Sequence, residues 1–418
     1  MRKRAILAVA ATVFLSVMAS VPTQGQQAAR QPQLPEGPGR DLVQATCSKC
    51  HSTNFIVNSF GFTHDEWLQL FSSMVALPKN DADTISNYLA KNFPEKPDTP
   101  KGVIIPGPAS VTFKEWLVPT LGSRPHDPLA ARDGSIWWSG QYASRVGRLD
   151  PKTGAMKEFP MDTPNSGPHG LVEDKDGNIW YMGINVAEIG KLDPRTGAVT
   201  EFKVPEPGRS PHTPIFDQKG MLFFTMQNGY VGRLNPATGE IKVAKTPSDN
   251  TYPYGIQVNS KGVPWYVDFR GNRLGSVDPV TMAIKEYTLP DPAARPRRIA
   301  LTRDDIVWYA DFARGYLGRY DPQTGQTKEW LSPSGKESAP YGIAAIGDVI
   351  WYSESGVKPN TLVRFDTKSE KFQTWAVPYG GHVIRNMMAT PQGNLVLALS
   401  GVNRVALAEV GRSRNASN

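Results

Sequence analysis

From Phe113 onward the chain repeats itself about every 43 residues, and that period constrains the fold more than any other feature of the 418-residue sequence. One element of the repeat is a turn. Asp150 precedes PKTG, Asp193 PRTG, Asn235 PATG, Asp278 PVTM, Asp321 PQTG and Asp366 a degraded TKSE. Asp or Asn at the first turn position, Pro at the second and Gly where left-handed dihedrals are needed make tight connections between strands. A second element is a short aromatic strand of buried character: WW after Ile136, WY after Ile179, FF after Leu222, WY after Pro264, Val307 and Ile350, and VL after Leu395. A third is the entry of an inner strand, read as Pro125-His126, Pro168-His169, Pro211-His212, Pro253-Tyr254, Pro296-Arg297, Pro340-Tyr341 and Gly381-His382. The fourth is an outer strand typified by Glu158-Phe159, Glu201-Phe202, Glu286-Tyr287 and Glu329-Trp330.

Seven entries are followed by only six outer strands. The segment FKEWLVP from Phe113, ahead of the first repeat, supplies the missing one. Pairing it with the last sheet closes a ring and protects an edge that a linear solenoid would leave open. The expected fold is therefore an all-β seven-bladed β-propeller over 109–411. Gly 38 and Pro 36 agree with many short strands and turns rather than long bundled helices. The net charge of +7 includes Arg2, Lys3 and Arg4 of the amino-terminal leader, and no basic stripe with interleaved aromatics points to nucleic acid. No phosphate loop, zinc-protease helix or serine elbow occurs in the repeats.

Residues 1–24 read as a secretory signal: a basic start, the apolar run AILAVAATVFLSVMA and a polar stretch. A retained amino-terminal anchor is the alternative. The mature chain is expected in the periplasm or otherwise exported, without a membrane span. Residues 25–38 read as a flexible leader, 95–108 as a linker and 412–418 as a disordered tail.

Between them, 39–94 form a small all-α unit that contains both cysteines, in C47-S-K-C50-H51. Two thiols spaced by two residues and followed by an imidazole suit covalent haem c, with Cys47 and Cys50 as thioether anchors and His51 on the iron. A thioredoxin-like pair and a zinc knuckle are the competing readings. Thr63 and Glu66 form a capping box ahead of an apolar face made by Trp67, Leu70, Phe71, Met74 and Val75. Ile85, Tyr88, Leu89 and Phe93 make a second face. Met74 is the candidate distal haem ligand and His64 its rival.

Four of the six histidines, His126, His169, His212 and His382, fall at inner-strand entries, where closure would gather them with Tyr254, Arg297 and Tyr341 around one mouth. Imidazoles there can bind a metal or act as bases, and Arg297, Arg298 and Arg385 can orient a carboxylate or carbonyl. Asp268, Asp311 and Glu354, at the ends of aromatic strands, are candidate oxygen ligands for Mg²⁺ or Ca²⁺. A purely structural role for the Pro-His turns and the acidic residues is the alternative.

The repeats resemble the streptogramin lyase family, also called virginiamycin B lyases, in GPHGLVEDKDGNIWY from Gly167, AEIGKLDP from Ala187, YGIQVNSKGVPWY from Tyr254, GNRLGSVDP from Gly271 and YGIAAIGDVIWYSE from Tyr341. The resemblance implies a seven-bladed propeller and Mg²⁺-assisted elimination that opens a cyclic depsipeptide ester. It also implies a catalytic histidine at the sixth inner entry, a second at the seventh and a glutamate two residues before that second one. His382 matches the second histidine, whereas Tyr341 and Gly380 stand at the other two positions. The amino-terminal part, with GRDLVQATCSKCH from Gly39, resembles class I cytochrome c-like domains fused to exported propeller enzymes. The combined expectation is electron transfer coupled to binding or oxidation of a small periplasmic substrate or a redox protein partner. A streptogramin-type lyase and a non-catalytic binding propeller are the alternatives.

Overall fold

The computed structural model describes residues 33–49, 53–57, 61–72, 74–94, 98–380 and 382–412. Seven four-stranded antiparallel sheets follow one another around a central channel. The first comprises Pro125–Ala130, Ile136–Gly140, Arg145–Leu149 and Met156–Pro160, running from the channel outward. The seventh is made of Ile384–Ala389, Leu395–Leu399 and Arg404–Arg412, and its fourth strand is Ala109–Leu117 from the far end of the chain. That strand pairs continuously from Ala109↔Arg412 to Leu117↔Arg404, so the ring closes as the sequence requires. Behind the seam Val118, Ile136, Trp138, Leu149, Val396 and Val405 form one buried cluster between the last and first blades. Each fully buried aliphatic side chain there contributes about 1.5–3 kcal/mol.

Local chemistry explains the repeat. In the first turn the Asp150 carboxylate accepts the Lys152 amide at 2.9 Å, and Gly154 takes a φ of 76° that a side chain would resist. The aromatic strand stacks on the outer strand of its own blade: Trp137 on Phe159, Trp180 on Phe202, Trp265 on Tyr287, Trp308 on Trp330 and Trp351 on Trp375. A ring from the same strand lies flat over Gly147, Gly190, Gly232, Gly275 or Gly318, where an added Cβ would fall within the ring. Those approaches account for the recurring glycine of the third strand.

Among the described residues ahead of the propeller are the helices Arg40–Cys47, Thr53–Val57, His64–Ser72 and Lys79–Asn92. The capping box forms, with the Thr63 amide donating to Glu66 at 2.7 Å and the Glu66 amide to Thr63 at 3.3 Å. Val43, Trp67, Phe71, Ile85, Tyr88, Leu89 and Phe93 make the helical core. Leu34 is buried in it and Pro35 accepts the Tyr88 hydroxyl at 2.6 Å, so the expected leader is already folded by that point. The expected linker is likewise anchored from Pro100, whose carbonyl accepts the Lys358 amide at 3.0 Å. Ile105 and Thr374 exchange hydrogen bonds, and Gln373 bonds both backbone groups of Ala109. The last strand runs to Arg412, into the segment expected as tail. The signal segment and residues 413–418 lie outside the described residues. Among the described residues no helix is long and apolar enough to cross a membrane.

Candidate functional site

Strand register defines the mouth of the channel. Every inner strand begins at a residue paired with the end of the second strand: Pro125↔Gly140, Pro168↔Gly183, Pro211↔Met226, Pro253↔Asp268, Pro296↔Asp311, Pro340↔Glu354 and Ile384↔Leu399. The next residues, His126, His169, His212, Tyr254, Arg297, Tyr341 and Arg385, make one circle. Ring centroids are 3.6 Å apart for His126 and His169, 3.9 Å for His169 and His212, and 3.9 Å for His212 and Tyr254. The Tyr254 and Tyr341 hydroxyls are 2.5 Å apart, and Arg385 Nη1 lies 3.4 Å from His126 Nε2.

His382 is not in this circle. The seventh entry has no proline to mark it, and the register sets it three residues later, at Ile384-Arg385. Val383, at φ 85°, is the left-handed residue just before the strand, as Arg124, Ser210 and Ala339 are in their blades. Arg385 therefore holds the seventh inner position and Val383 the place two residues before it. The histidine and glutamate that the family resemblance places there are both replaced.

In the histidine sector, His126 Nδ1 lies 2.9 Å from Asp127, which pairs with Arg298 at 2.7 Å. Arg298 also donates to the Thr213 hydroxyl at 3.2 Å, and that oxygen is 2.7 Å from His212 Nδ1. Burial holds all three imidazoles well below their ordinary pKa. The guanidiniums of Arg298 and Arg385 add to this at His126 and His169, and His169 together with Arg298 does so at His212. Neutral His126 then donates Nδ1–H to Asp127 and accepts from Arg385 through Nε2. Buried His169 Nδ1 and His212 Nε2 have no hydrogen-bond partner among the described residues.

Donor atoms of His126, Asp127 and His169 lie within 4.8 Å of one another, the one such cluster among the described residues. Its chemistry does not fit Mg²⁺ or Ca²⁺, which take oxygen ligands. The single carboxylate is already engaged by Arg298 and His126, and Arg124, Arg297 and Arg385 repel a cation. Asp268, Asp311 and Glu354 are not brought together either, because each closes a loop of its own blade. Asp268 accepts the Tyr252 amide at 2.7 Å, Asp311 the Arg295 amide at 2.9 Å and Glu354 the Ser334 amide at 2.8 Å.

The other sector carries charge. Arg297 lies 3.7 Å from the ring centre of Tyr341, 4.4 Å from Phe312 and 4.6 Å from Phe269, in an aromatic box. The recurring Asp-Phe pair at the ends of the second strands of blades four and five marks Phe269 and Phe312 in the sequence. Burial works to raise the Tyr341 phenol, but Arg297, Arg298 and Arg385 outweigh it and bring the group below its ordinary value. Burial, reinforced by Tyr341, keeps Tyr254 above its own.

His382 instead meets the helical unit. Its ring centroid is 4.4 Å from that of Phe62, and Lys358 lies 4.2 Å over Phe62 and 3.7 Å from Glu66 while donating to the Gly61 carbonyl. Burial, aided by Lys358 and opposed by Glu66, lowers His382 to about 4. Cys47 ends the first helix, partly buried against the helical core. Cys50 and His51 lie outside the described residues. Met74 follows the third helix, its amide bonded to Phe71 O at 2.8 Å. His64 is on the surface, 2.8 Å from Asp65 and 3.9 Å from Asp83. Trp67 Nε1 is buried in the helical unit and has no acceptor among the described residues.

Fold and mouth together define a seven-bladed propeller with a polar inner ring and a helical unit attached beside it. Residues 107–353 match the virginiamycin B lyase family, and the chain belongs to that family. No match was found among curated proteins. A solved streptogramin B lyase is 25% identical with a TM-score of 0.66, the alignment covering 72% of this chain and 98% of that one. A catalytically inactive virginiamycin B lyase from Staphylococcus aureus with quinupristin is 20% identical, with a TM-score of 0.66 and coverage of 72% and 99%. Hydrazine synthase from Kuenenia stuttgartiensis shares the fold at 13% identity, with a TM-score of 0.58 and coverage of 70% and 96%.

Proposed function

We propose that the propeller mouth is a lyase-type site that binds the carbonyl or carboxylate of a small molecule outside the cytoplasm and promotes elimination next to it. One observation carries this reading. Arg297 and Arg385 occupy two of the inner positions, with Arg124 and Arg298 acting on the same ring, and Asp127, the carboxylate within it, is engaged by Arg298. Such an excess of fixed positive charge favours an anion, or an oxygen on which negative charge develops during reaction. The family supplies the reaction class, while Tyr341 and Arg385 in place of its histidines argue for a different ester or acid from the streptogramins. Calorimetry on the full chain, with a panel of O-acylthreonine peptides as probes and quinupristin as the contrasting streptogramin, tests the reading. Binding with release of an unsaturated product is expected, and Arg385→Gln should weaken it about tenfold or more, the loss of one charge-assisted hydrogen bond. Binding without any product would mark a non-catalytic binding propeller instead.

A second reading, electron transfer coupled to the mouth, rests on C47-S-K-C50-H51. Cys47 and Cys50 would anchor haem c, with His51 and Met74, or His64 in place of Met74, on the iron. Bound there, the group would supply one-electron chemistry. A Soret band and the mass of haem in protein from a haem-competent periplasm support this reading; their absence removes it.

A further inference from the structure

We infer that Tyr341 is the general base of the mouth, a phenolate that takes a proton from the carbon next to a carbonyl held by Arg297 and Arg385. The inference rests on the lyase-type reading above and names the residue that performs its first step. Two phenol oxygens 2.5 Å apart are at the distance of an O–H···O⁻ bond, in which one donates and the other is the anion. The surroundings decide which is the anion. Arg297 donates to the Tyr254 oxygen at 3.4 Å, which leaves the Tyr254 proton for Tyr341, while its guanidinium lies 3.7 Å from the Tyr341 ring centre against 5.2 Å from that of Tyr254. Tyr341 stands between Arg297 and Arg385 in the circle and is lowered by both. Tyr254 on blade four is then the donor that steadies the Tyr341 oxygen. Tyr252 also faces the pair, and the Asp127 carboxylate, which would oppose a second anion, is engaged by Arg298 and His126. Burial penalises an isolated phenolate, but here the guanidinium beside it is itself fixed by the aromatic rings, so no reorganisation is needed to offset the charge.

The step balances without an oxidant or a metal ligand set. Tyr341 oxygen takes the α-proton, the electron pair of that C–H bond becomes the Cα=Cβ bond, and the Cβ–O bond breaks with its electrons on the departing oxygen. A carboxylate leaves as the anion and the Tyr341 proton passes to solvent; an alkoxide takes that proton and leaves as the alcohol. During the transfer, negative charge grows on the carbonyl oxygen, where Arg297 and Arg385 can meet it.

Ultraviolet difference titration of the full chain at the tyrosinate band tests the inference directly. The wild-type protein should show one tyrosinate forming below the free-tyrosine value of about 10. The signal should be absent in Tyr341→Phe, and in Arg385→Gln it should move up by about one pH unit or more. No early tyrosinate in the wild type, or its persistence in Tyr341→Phe, overturns the inference. Should Tyr341→Phe fail to fold, an unmoved titration in Arg385→Gln overturns it equally. With an O-acylthreonine peptide as substrate, Tyr341→Phe should lose about 10²–10⁴ in kcat with binding unchanged within about threefold. Retained turnover in that variant also overturns the inference. A wild-type chain that neither binds nor converts these peptides counts against the lyase-type reading, and the tyrosinate titration still decides Tyr341.

Discussion

One backbone position, the second residue of each inner strand, is used in two ways around the channel. Blades one to three fill it with His126, His169 and His212, imidazoles kept neutral by burial and tilted against one another at centroid distances of 3.6 and 3.9 Å. Blades four to seven fill it with Tyr254, Arg297, Tyr341 and Arg385, where phenols and guanidiniums interleave. The sectors depend on each other: cations of the second add to burial in keeping the first neutral, and Asp127 of the first binds Arg298 of the second. A repeat therefore fixes where a side chain stands but not its chemistry, and the ring as a whole sets its charge state.

Asp127→Asn should break this arrangement most severely. Arg298 is only 3% exposed, and without the carboxylate it becomes a buried cation lacking a counter-charge. A loss of about 3–5 kcal/mol is expected in chemical denaturation. The exposed pair Lys175–Asp176 is the control, since Asp176→Asn should change stability by less than about 1 kcal/mol. A small effect at Asp127 would mean that the two sectors are energetically separate.

The second test is pH. In the unfolded chain the three ring histidines titrate near 6.5, whereas burial and the arginines hold them well below this in the fold. Stability is thus complete above pH 6.5. Below it the unfolded chain takes up protons that the folded ring refuses, and stability falls by up to about 1.4 kcal/mol per pH unit for each histidine. Urea unfolding at pH 7, 6 and 5 should show this slope, reduced by one histidine's share in His169→Gln. An unchanged slope would mean that the ring histidines protonate inside the fold.

Much of the propeller was legible because its signals are local. The Asp-Pro turns, the aromatic strands and the unpaired FKEWLVP segment each report a short stretch of chain, and closure follows from counting them. Thr63 and Glu66 announced a helix start for the same reason. The three Pro-His entries were placed correctly since proline marks the strand start, while Gly381-His382 was misplaced where that mark is missing. Asp268, Asp311 and Glu354 were found at the right strand ends, but their partners are loop amides, which composition does not reveal. The Tyr254–Tyr341 contact joins residues 87 positions apart and exists only once the ring is closed.

The smallest expected effect distinguishes His382 from the histidines it was grouped with. Ring histidines are buried by neighbouring blades, so their protonation should not depend on the helical unit. His382 lies against Phe62, with Lys358 bridging to Glu66 and Gly61, so part of its burial comes from that unit. Phe62→Ala opens one face of the imidazole to water, and its pKa should rise from about 4 toward the ordinary 6.5. Imidazole proton shifts followed by NMR against pH, with His382→Gln to assign the resonance, will report the change. Unmoved titrations at His126, His169 and His212 in the same spectra would confine the effect to the contact between the two units. A His382 still near 4 in Phe62→Ala would show that the blade-seven loop alone excludes water there, leaving the helical unit no part in covering that side of the mouth.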